Sequence, residues 1–147
     1  MKLLVVGSGG REHALIKSLK KNQAVETIYA LPGNGGMAKD AVCVPIGAKD
    51  IDGIVKFAVE KKVDFAVVAP DDPLALGAVD ALENAGIPSF GPSKAAARIE
   101  ASKVFAKELM KKYGIPTAKA VELDSLGEAL EYVRANEPPM VVKADGL

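Results

Sequence analysis

The chain has 147 residues, of which 49% are hydrophobic and 26% charged, a composition typical of a globular protein in water. Nineteen basic residues balance nineteen acidic ones, so the net charge gives no indication of a nucleic-acid or membrane surface. No segment approaches the roughly 20 apolar residues that span a bilayer, and the apolar run at residues 3–6 is too short for a signal peptide. The single cysteine, Cys43, excludes an intrachain disulfide and fits a reducing cytoplasm, so we expect a cytoplasmic protein without nucleic-acid or membrane partners.

The first 92 residues alternate between short apolar runs and amphipathic helical patterns. Strands are predicted at Leu3–Val6, Thr27–Leu31, Ala41–Ile46, Phe65–Ala69 and Ile87–Phe90. Helical periodicity lies between most of them, at residues 11–21, 51–59 and 75–82. This alternation predicts an α/β fold, a Rossmann-like open parallel sheet with helices on both faces.

After Gly91-Pro92-Ser93 the pattern changes to a longer helical segment and fewer strands. Residues 94–113 are predicted to be helical with a break near Ala101-Ser102, followed by a strand at 117–122, a helix over 126–133 capped by Asp124 or Ser125, and a buried strand that starts at Met140. Two strands and about three helices are too few to close a core of their own. We therefore expect this part to be the start of a larger domain.

The first glycine-rich stretch, Val5-Val6-Gly7-Ser8-Gly9-Gly10-Arg11-Glu12-His13, lies where the first strand passes into the first helix. Glycines there permit a tight turn and a close approach by a ligand, and the helix N-terminus favours an anion such as phosphate. A plain tight turn is the alternative. A dinucleotide site would need a third glycine where Glu12 stands, and Glu26 comes too early for the usual ribose-binding acid. His13, the only histidine, could act as an acid–base group, but a structural role or a substrate contact is favoured in the absence of a partner motif.

Two further loops follow strands of the predicted sheet. Pro32-Gly33-Asn34-Gly35-Gly36 has too many glycines for a simple connection, and Pro70-Asp71-Asp72-Pro73-Leu74 opens a helix. We expect Asp72 to be the N-cap, with Pro73 first in the helix, which leaves Asp71 able to bind a hydroxyl or an amine. Because ligands bind beyond the carboxyl ends of parallel strands, the three loops together predict a site for a small polar ligand with a phosphate and several hydroxyls.

Two lysines in the second part stand in unusual places. Lys103 lies at the start of a helix, where a cation opposes the helix dipole unless an anion is bound, and Lys143 follows an apolar run. Each lysine taken alone could equally be a solvated side chain whose apolar stem lies along the surface.

These motifs together resemble a known family. The stretches that carry the resemblance are, in chain order, Val6-Gly7-Ser8-Gly9-Gly10-Arg11-Glu12-His13-Ala14, Pro32-Gly33-Asn34, Pro70 to Leu74, Phe90-Gly91-Pro92-Ser93-Lys94-Ala95-Ala96-Ala97, Ser102-Lys103 and Val142-Lys143-Ala144-Asp145-Gly146-Leu147. They resemble the phosphoribosylamine–glycine ligases, the glycinamide ribonucleotide synthetases of purine biosynthesis, which are ATP-grasp enzymes. The resemblance covers the whole chain, and its first and last motifs together are specific.

The resemblance implies an ATP-dependent carboxylate–amine ligase that joins glycine to 5-phosphoribosylamine and uses Mg²⁺ or Mn²⁺. Its partners would be these small molecules and the remainder of the ligase chain. Substrate-binding residues would be Gly9, Gly10, Arg11, Glu12, Gly33, Asn34, Asp71 and Pro73. Lys103 and Lys143 would bind the phosphates of ATP. Asp71 stands where the family commonly has glutamate, so its carboxylate reaches one methylene less far.

The resemblance also implies a division of the chain. Residues 1–92 would form an N-terminal substrate-binding domain that precedes the ATP-grasp domain, and residues 93–147 would contain linker helices and the start of the ATP-grasp domain. Family members run to roughly 400 residues, so we expect the glycine-rich ATP loop, the metal sites and most of the glycine site to lie beyond Leu147, with no complete catalytic site and no ligase activity in this chain alone. The alternatives are a stand-alone module that binds a phosphorylated sugar, another ATP-grasp ligase and a Rossmann-type oxidoreductase.

Overall fold

The computed structural model describes residues 1–146 and contains five strands and seven α-helices within that range. The strands are β1 (Lys2–Gly7), β2 (Thr27–Pro32), β3 (Val42–Cys43), β4 (Phe65–Val68) and β5 (Ser89–Phe90). The helices are α1 (Gly10–Leu19), α2 (Ile51–Lys61), α3 (Asp71–Leu76), α4 (Ala78–Asn84), α5 (Lys94–Ala101), α6 (Lys103–Lys112) and α7 (Leu126–Ala135), and a 3₁₀ helix at Met37–Lys39 is the only helical element between β2 and β3. No helix in the described range is long and apolar enough to cross a bilayer.

The five strands form one parallel sheet in the order β3-β2-β1-β4-β5. The chain first builds outward from β1 through β2 to β3, and then crosses to the other side of β1 for β4 and β5. Gly7 pairs with Pro32 of β2 and Val6 pairs with Val68 of β4, so these three strands end at the same edge. The reversal of strand order between β1 and β4 makes that edge the usual place for a ligand.

Helices cover both faces of the sheet, as the sequence predicts. On one face Leu4 and Val6 pack with Ile54 of α2 and Leu82 of α4. On the other face Leu3 and Val5 pack with Ile16 of α1. Because successive side chains of a strand point to opposite faces, an uninterrupted apolar strand such as β1 requires cover on both sides.

The helical segment between β4 and β5 differs from its prediction. It is two helices, α3 and α4, which meet at Gly77 with a φ of 94°. The left-handed conformation ends α3, and glycine adopts it without the penalty of a side chain. The N-cap of α3 is Pro70 and the helix starts at Asp71, so the expectations that Asp72 is the N-cap and that Pro73 is the first helical residue are both wrong. Asp72 lies one residue inside the helix and pairs instead with Lys49 at 2.5 Å.

Backbone contacts divide the chain into two compact units, Met1–Ala101 and a second unit that starts at Ser102. The break expected near Ala101-Ser102 is confirmed, because Ser102 is extended and its Oγ accepts the N–H of Phe105 as the N-cap of α6. The first unit includes α5, which the sequence analysis places after the boundary at residue 92. That boundary, as a division into functional domains, stays a prediction.

The second unit contains α6 and α7, and the two strands expected in it do not form within the described residues. Residues 117–122 and 140–142 are assigned to no strand, and Val141 and Val142 are 80% and 78% exposed. The expectation of a buried strand at Met140 is therefore wrong for this structure. A strand is defined by hydrogen bonds to a neighbouring strand, and within residues 1–146 such pairing occurs only among the five strands of the first unit. The predicted helix is confirmed, with Ser125 as its cap.

Candidate functional site at the sheet edge

The turn after β1 is shaped around a buried carboxylate, that of Glu12. Gly7 has a φ of 131°, and a Cβ placed on it would lie 2.5 Å from Cγ of Glu12 and 2.9 Å from Cγ of Pro70. Glycine is therefore required here both for its backbone conformation and for space. Glu12 is 3% exposed, and its Oε2 accepts the N–H of Gly9 at 2.6 Å.

Glu12 also has an unsatisfied atom. Its Oε1 is buried and has no hydrogen-bond partner among the described residues. Leaving a buried acceptor unpaired costs about 1–3 kcal/mol, so this oxygen is suited to a donor such as an ammonium, an amine, a hydroxyl or a water molecule. The neighbouring Gly10 and Arg11 start α1, and the side chain of Arg11 is exposed.

The loop after β2 is fastened to this turn. Gly33 donates its N–H to the carbonyl oxygen of Gly7 at 3.1 Å, and Asn34 Nδ2 donates to the carbonyl oxygen of Ser8 at 2.7 Å. Asn34 Oδ1 also accepts the N–H groups of Gly36 and Met37, at 2.8 and 3.0 Å. One amide side chain thus fixes both the shape of the second loop and its distance from the first.

Gly33 is as constrained as Gly7. Its φ is 69°, and a Cβ there would lie 2.5 Å from Sγ of Cys43. Cys43 is half-buried, packs against the apolar cluster beneath α1, and its Sγ donates weakly to the carbonyl oxygen of Asn34 at 3.5 Å. The thiol therefore acts as a small packing group under the loop.

The loop after β4 completes the edge. Pro70 lies against the Gly7 turn, Asp71 opens α3 and is half-buried, and Pro73 is fully buried in the core. The three loops therefore share one edge, as predicted. Of the residues proposed there, Pro73 packs inside the protein, so its contribution in the ligand-free chain is to hold α3 in place.

An open groove of about 560 Å³ borders this edge, on the side of β4 and β5. Its walls include Arg11 and Leu15 of α1, Leu74 of α3, and Phe90, which is 68% exposed. The lining is largely apolar with one cationic side chain. It could hold the apolar face of a ligand while Arg11 contacts an anionic group.

His13 belongs to a small polar cluster that the sequence analysis did not find. Its Nε2 lies 3.0 Å from Oδ2 of Asp40, and Asp40 Oδ1 accepts a hydrogen bond from Nζ of Lys20 at 3.1 Å. The hydrogen bonds from His13 and Lys20 hold the pKa of the Asp40 carboxyl below its usual value. Because Asp40 is 27 residues away in sequence, only the turn at the 3₁₀ helix brings it to His13.

The second unit brings the segments that carry Lys103 and Lys143 together. Asp145, two residues after Lys143, accepts the backbone N–H groups of Lys103 and Val104 at 2.6 and 3.1 Å. The Nζ of Lys103 donates to the carbonyl oxygen of Gly146, and Lys143 is exposed. Sequence reasoning missed Asp145 as a contact, although a lysine at a helix N-terminus indicates that an anion is nearby.

Metal-binding side chains are not clustered in the part of the chain that the structure describes. Residues 1–146 contain no group of three or more His, Cys, Asp or Glu side chains placed to hold a metal ion. The last residue of the sequence motif around Lys143, Leu147, lies outside the described residues.

Family models of known proteins match both parts of the chain. Residues 1–100 match the family model of the phosphoribosylglycinamide synthetase N domain, and residues 101–147 match that of the ATP-grasp (A) domain of the same synthetase. A phosphoribosylamine–glycine ligase of Caldanaerobacter subterraneus is 48% identical over 147 residues, and one of Agrobacterium fabrum is 46% identical. The chain spans about 35% of the length of these curated relatives.

A solved structure agrees with these matches. The phosphoribosylamine–glycine ligase of Thermotoga maritima has a TM-score of 0.75 and 32% identity, over 100% of this chain and 34% of that one. An N5-carboxyaminoimidazole ribonucleotide synthetase from the same organism, with a TM-score of 0.66 and 20% identity, shares the fold. Because its first 100 residues match the N-domain model, the chain belongs to the phosphoribosylglycinamide synthetase family.

Proposed function

We propose that this chain is the sugar-binding and first ATP-binding part of a phosphoribosylamine–glycine ligase. In that reaction the carboxylate of glycine attacks the γ-phosphate of ATP, which gives glycyl phosphate and ADP. The amine of 5-phosphoribosylamine then forms the C–N bond at the glycyl carbon, and phosphate leaves as the C–O bond breaks. The observation that carries the proposal is the sheet edge, where three loops meet around Glu12 in a chain of this family.

The edge offers complementary groups for 5-phosphoribosylamine. The unpartnered Oε1 of Glu12 is suited to an amine or hydroxyl donor, and a second carboxylate, Asp71, stands at the start of α3. A phosphate beside Glu12 would meet a like charge, so we assign the phosphate to Arg11 and to the loop of Gly33 and Asn34. Gly9 and Gly10 permit close approach at the turn, and the buried Pro73 holds in place the short helix that starts at Asp71.

ATP is assigned to the second unit. Lys103 and Lys143 lie on segments joined by Asp145, and two lysine side chains on adjoining segments can converge on one polyphosphate. The ATP-grasp match over residues 101–147 supports this assignment. We assign the divalent metal ion, Mg²⁺ or Mn²⁺, to the parts of the longer relatives that this chain does not match.

Titration with ribose 5-phosphate tests the sugar site in the 147-residue chain itself. Loss of the charged contact in Arg11→Ala should weaken binding by at least about tenfold, since a hydrogen bond to a charged group contributes about 1.5–3 kcal/mol. Lys21→Ala, which removes an exposed cation just beyond the C-terminal end of α1, is the matched control and should leave affinity unchanged. Equal affinities in Arg11→Ala and the parent chain would refute the phosphate assignment. Tight binding of NADH would favour an oxidoreductase instead.

Ligase activity is tested in a chimera in which this chain replaces the aligned 147-residue segment of the Caldanaerobacter ligase. We expect ADP release that requires both glycine and phosphoribosylamine. The 147-residue chain alone should release none, because it spans about 35% of that relative. A correctly folded chimera that stays inactive would contradict the proposed reaction, and activity of the short chain would contradict the assignment of catalysis to the longer protein.

A further inference from the structure

Asp145 holds the start of α6 from a distant point in the sequence. Its Oδ1 accepts the backbone N–H groups of Lys103 and Val104, at 2.6 and 3.1 Å, and its Oδ2 accepts the hydroxyl of Ser102 at 3.1 Å. These contacts span 41 to 43 residues of sequence. Ser102 therefore caps Phe105 within the helix while Asp145 binds the two preceding amides.

This arrangement explains how a lysine is tolerated at a helix N-terminus. The carboxylate of Asp145 supplies the anion that the positive end of α6 favours. The hydrogen bond from the Val104 N–H, together with those from Ser102 and Lys103, holds the pKa of Asp145 below its usual value, so the group is charged at neutral pH. The anion that the position of Lys103 indicates is thus already provided by the protein, before any nucleotide binds.

The same carboxylate limits where the backbone of Lys143 can lie, because Lys143 is only two residues before Asp145. Consecutive Cα atoms are 3.80 Å apart, so the Cα of Lys143 lies within about 7.6 Å of that of Asp145. Asp145 in turn is bound directly to the backbone of Lys103. The hydrogen bond from Nζ of Lys103 to the carbonyl oxygen of Gly146 is a further contact between the same two segments.

We propose that Asp145 is a positioning residue for ATP, which sets the spacing of Lys103 and Lys143 by joining their two segments. The proposal rests on the proposed function, in which both lysines bind the polyphosphate. Asp145 is itself an anion and would repel a phosphate, so its contribution is to hold the backbone of the two lysine segments together and not to attract the ligand. A site whose two backbone segments are already held together has less to reorganise as the phosphates arrive, and this favours both binding and phosphoryl transfer.

The test uses the chimeric ligase described above, with Asp145→Ala and the nearly isosteric Asp145→Asn. Asp145→Ala removes all three contacts and should lower kcat/KM for ATP by about tenfold, while KM for glycine stays within about twofold. Asp145→Asn keeps an oxygen that can accept the two N–H groups, and it should recover part of the loss. Asp124→Asn makes the same chemical change at an exposed carboxylate of the second unit and should leave both constants unchanged.

A double-mutant cycle with Lys103→Ala separates positioning from general stability. If Asp145 acts through Lys103, then Asp145→Ala should have little further effect on kcat/KM for ATP in the Lys103→Ala background. Full additivity, or an equal rise in KM for glycine, would overturn the proposal, as would parent kinetics in Asp145→Ala. If Lys103→Ala itself leaves kcat/KM for ATP unchanged, the lysine assignment in the proposed function fails instead. Asp145→Asn provides the measurement if Asp145→Ala does not fold.

Discussion

Replacement of Gly7 by alanine should destabilise the first unit by at least about 2 kcal/mol. The new methyl group would lie 2.5 Å and 2.8 Å from Cγ and Cδ of Glu12 and 2.9 Å from Cγ of Pro70, so at least two neighbours must move. Overfilling a packed site costs about 1–3 kcal/mol. A side chain at a φ of 131° adds strain on the order of 1–3 kcal/mol. Movement of Glu12 would also weaken its hydrogen bond to the N–H of Gly9.

Urea unfolding of the 147-residue chain, followed by far-UV circular dichroism, measures this loss. Gly10→Ala is the matched control, because it stands in the same turn, starts α1 and has no atom within 4 Å of the position of a Cβ. Both substitutions reduce the freedom of the unfolded chain equally, so the difference between them reports the folded state. Gly10→Ala should be neutral or stabilising by up to about 1 kcal/mol. Equal stability of the two variants would refute the packing described around Gly7.

Two further predictions concern the loops. Asn34→Ala removes three hydrogen bonds between and within the first two loops, so it should weaken the binding of ribose 5-phosphate and lower the free energy of unfolding by about 1–3 kcal/mol. Calorimetry measures both quantities, with Gly35→Ala, whose Cβ position is open, as the control. Unchanged affinity in Asn34→Ala would contradict the role of this loop. The folded-state pKa of Asp40 is lowered, so the stability from its contacts with His13 and Lys20 is present above the usual aspartate pKa of about 3.9 and is lost as the pH falls through the lowered pKa. Asp40→Asn should therefore have a lower free energy of unfolding than the parent chain at pH 7, and the two free energies should converge in acid. Urea titrations at both pH values measure this. A difference in free energy that does not change with pH would show that the charge of Asp40 does not contribute to stability.

The first unit was predictable because its signals are local. The continuous apolar strands required cover on both faces, and the alternation of strand and helix required a parallel sheet. The edge strands β3 and β5 are only two residues long, shorter than their apolar runs, since a run predicts burial and not the number of hydrogen-bonded pairs. The break between α3 and α4 depends on Gly77 at a positive φ, which helical periodicity alone does not reveal.

The second unit was harder to predict for a physical reason. Residues 117–122 and 140–142 have the composition of strands, but a strand forms only when another strand satisfies its backbone groups. Within the described residues neither segment has such a partner, and Val141 and Val142 are largely exposed. The helices α6 and α7 formed as expected because their hydrogen bonds and serine caps lie within each helix.

The sequence by itself determined the parallel sheet, the positions of the three loops at its edge and the family to which the chain belongs. The sheet and the loop positions follow from the order of strands and helices, because parallel strands bring all their carboxyl ends to one side. The family follows from the motifs in the loops. Only the tertiary structure decided that Oε1 of Glu12 is left without a partner among the described residues and that Asp145 binds the start of α6. Both observations depend on which polar groups come within hydrogen-bonding distance in the folded chain. For Asp145 the partners are 41 to 43 residues away in sequence, and no local sequence pattern indicates such a contact.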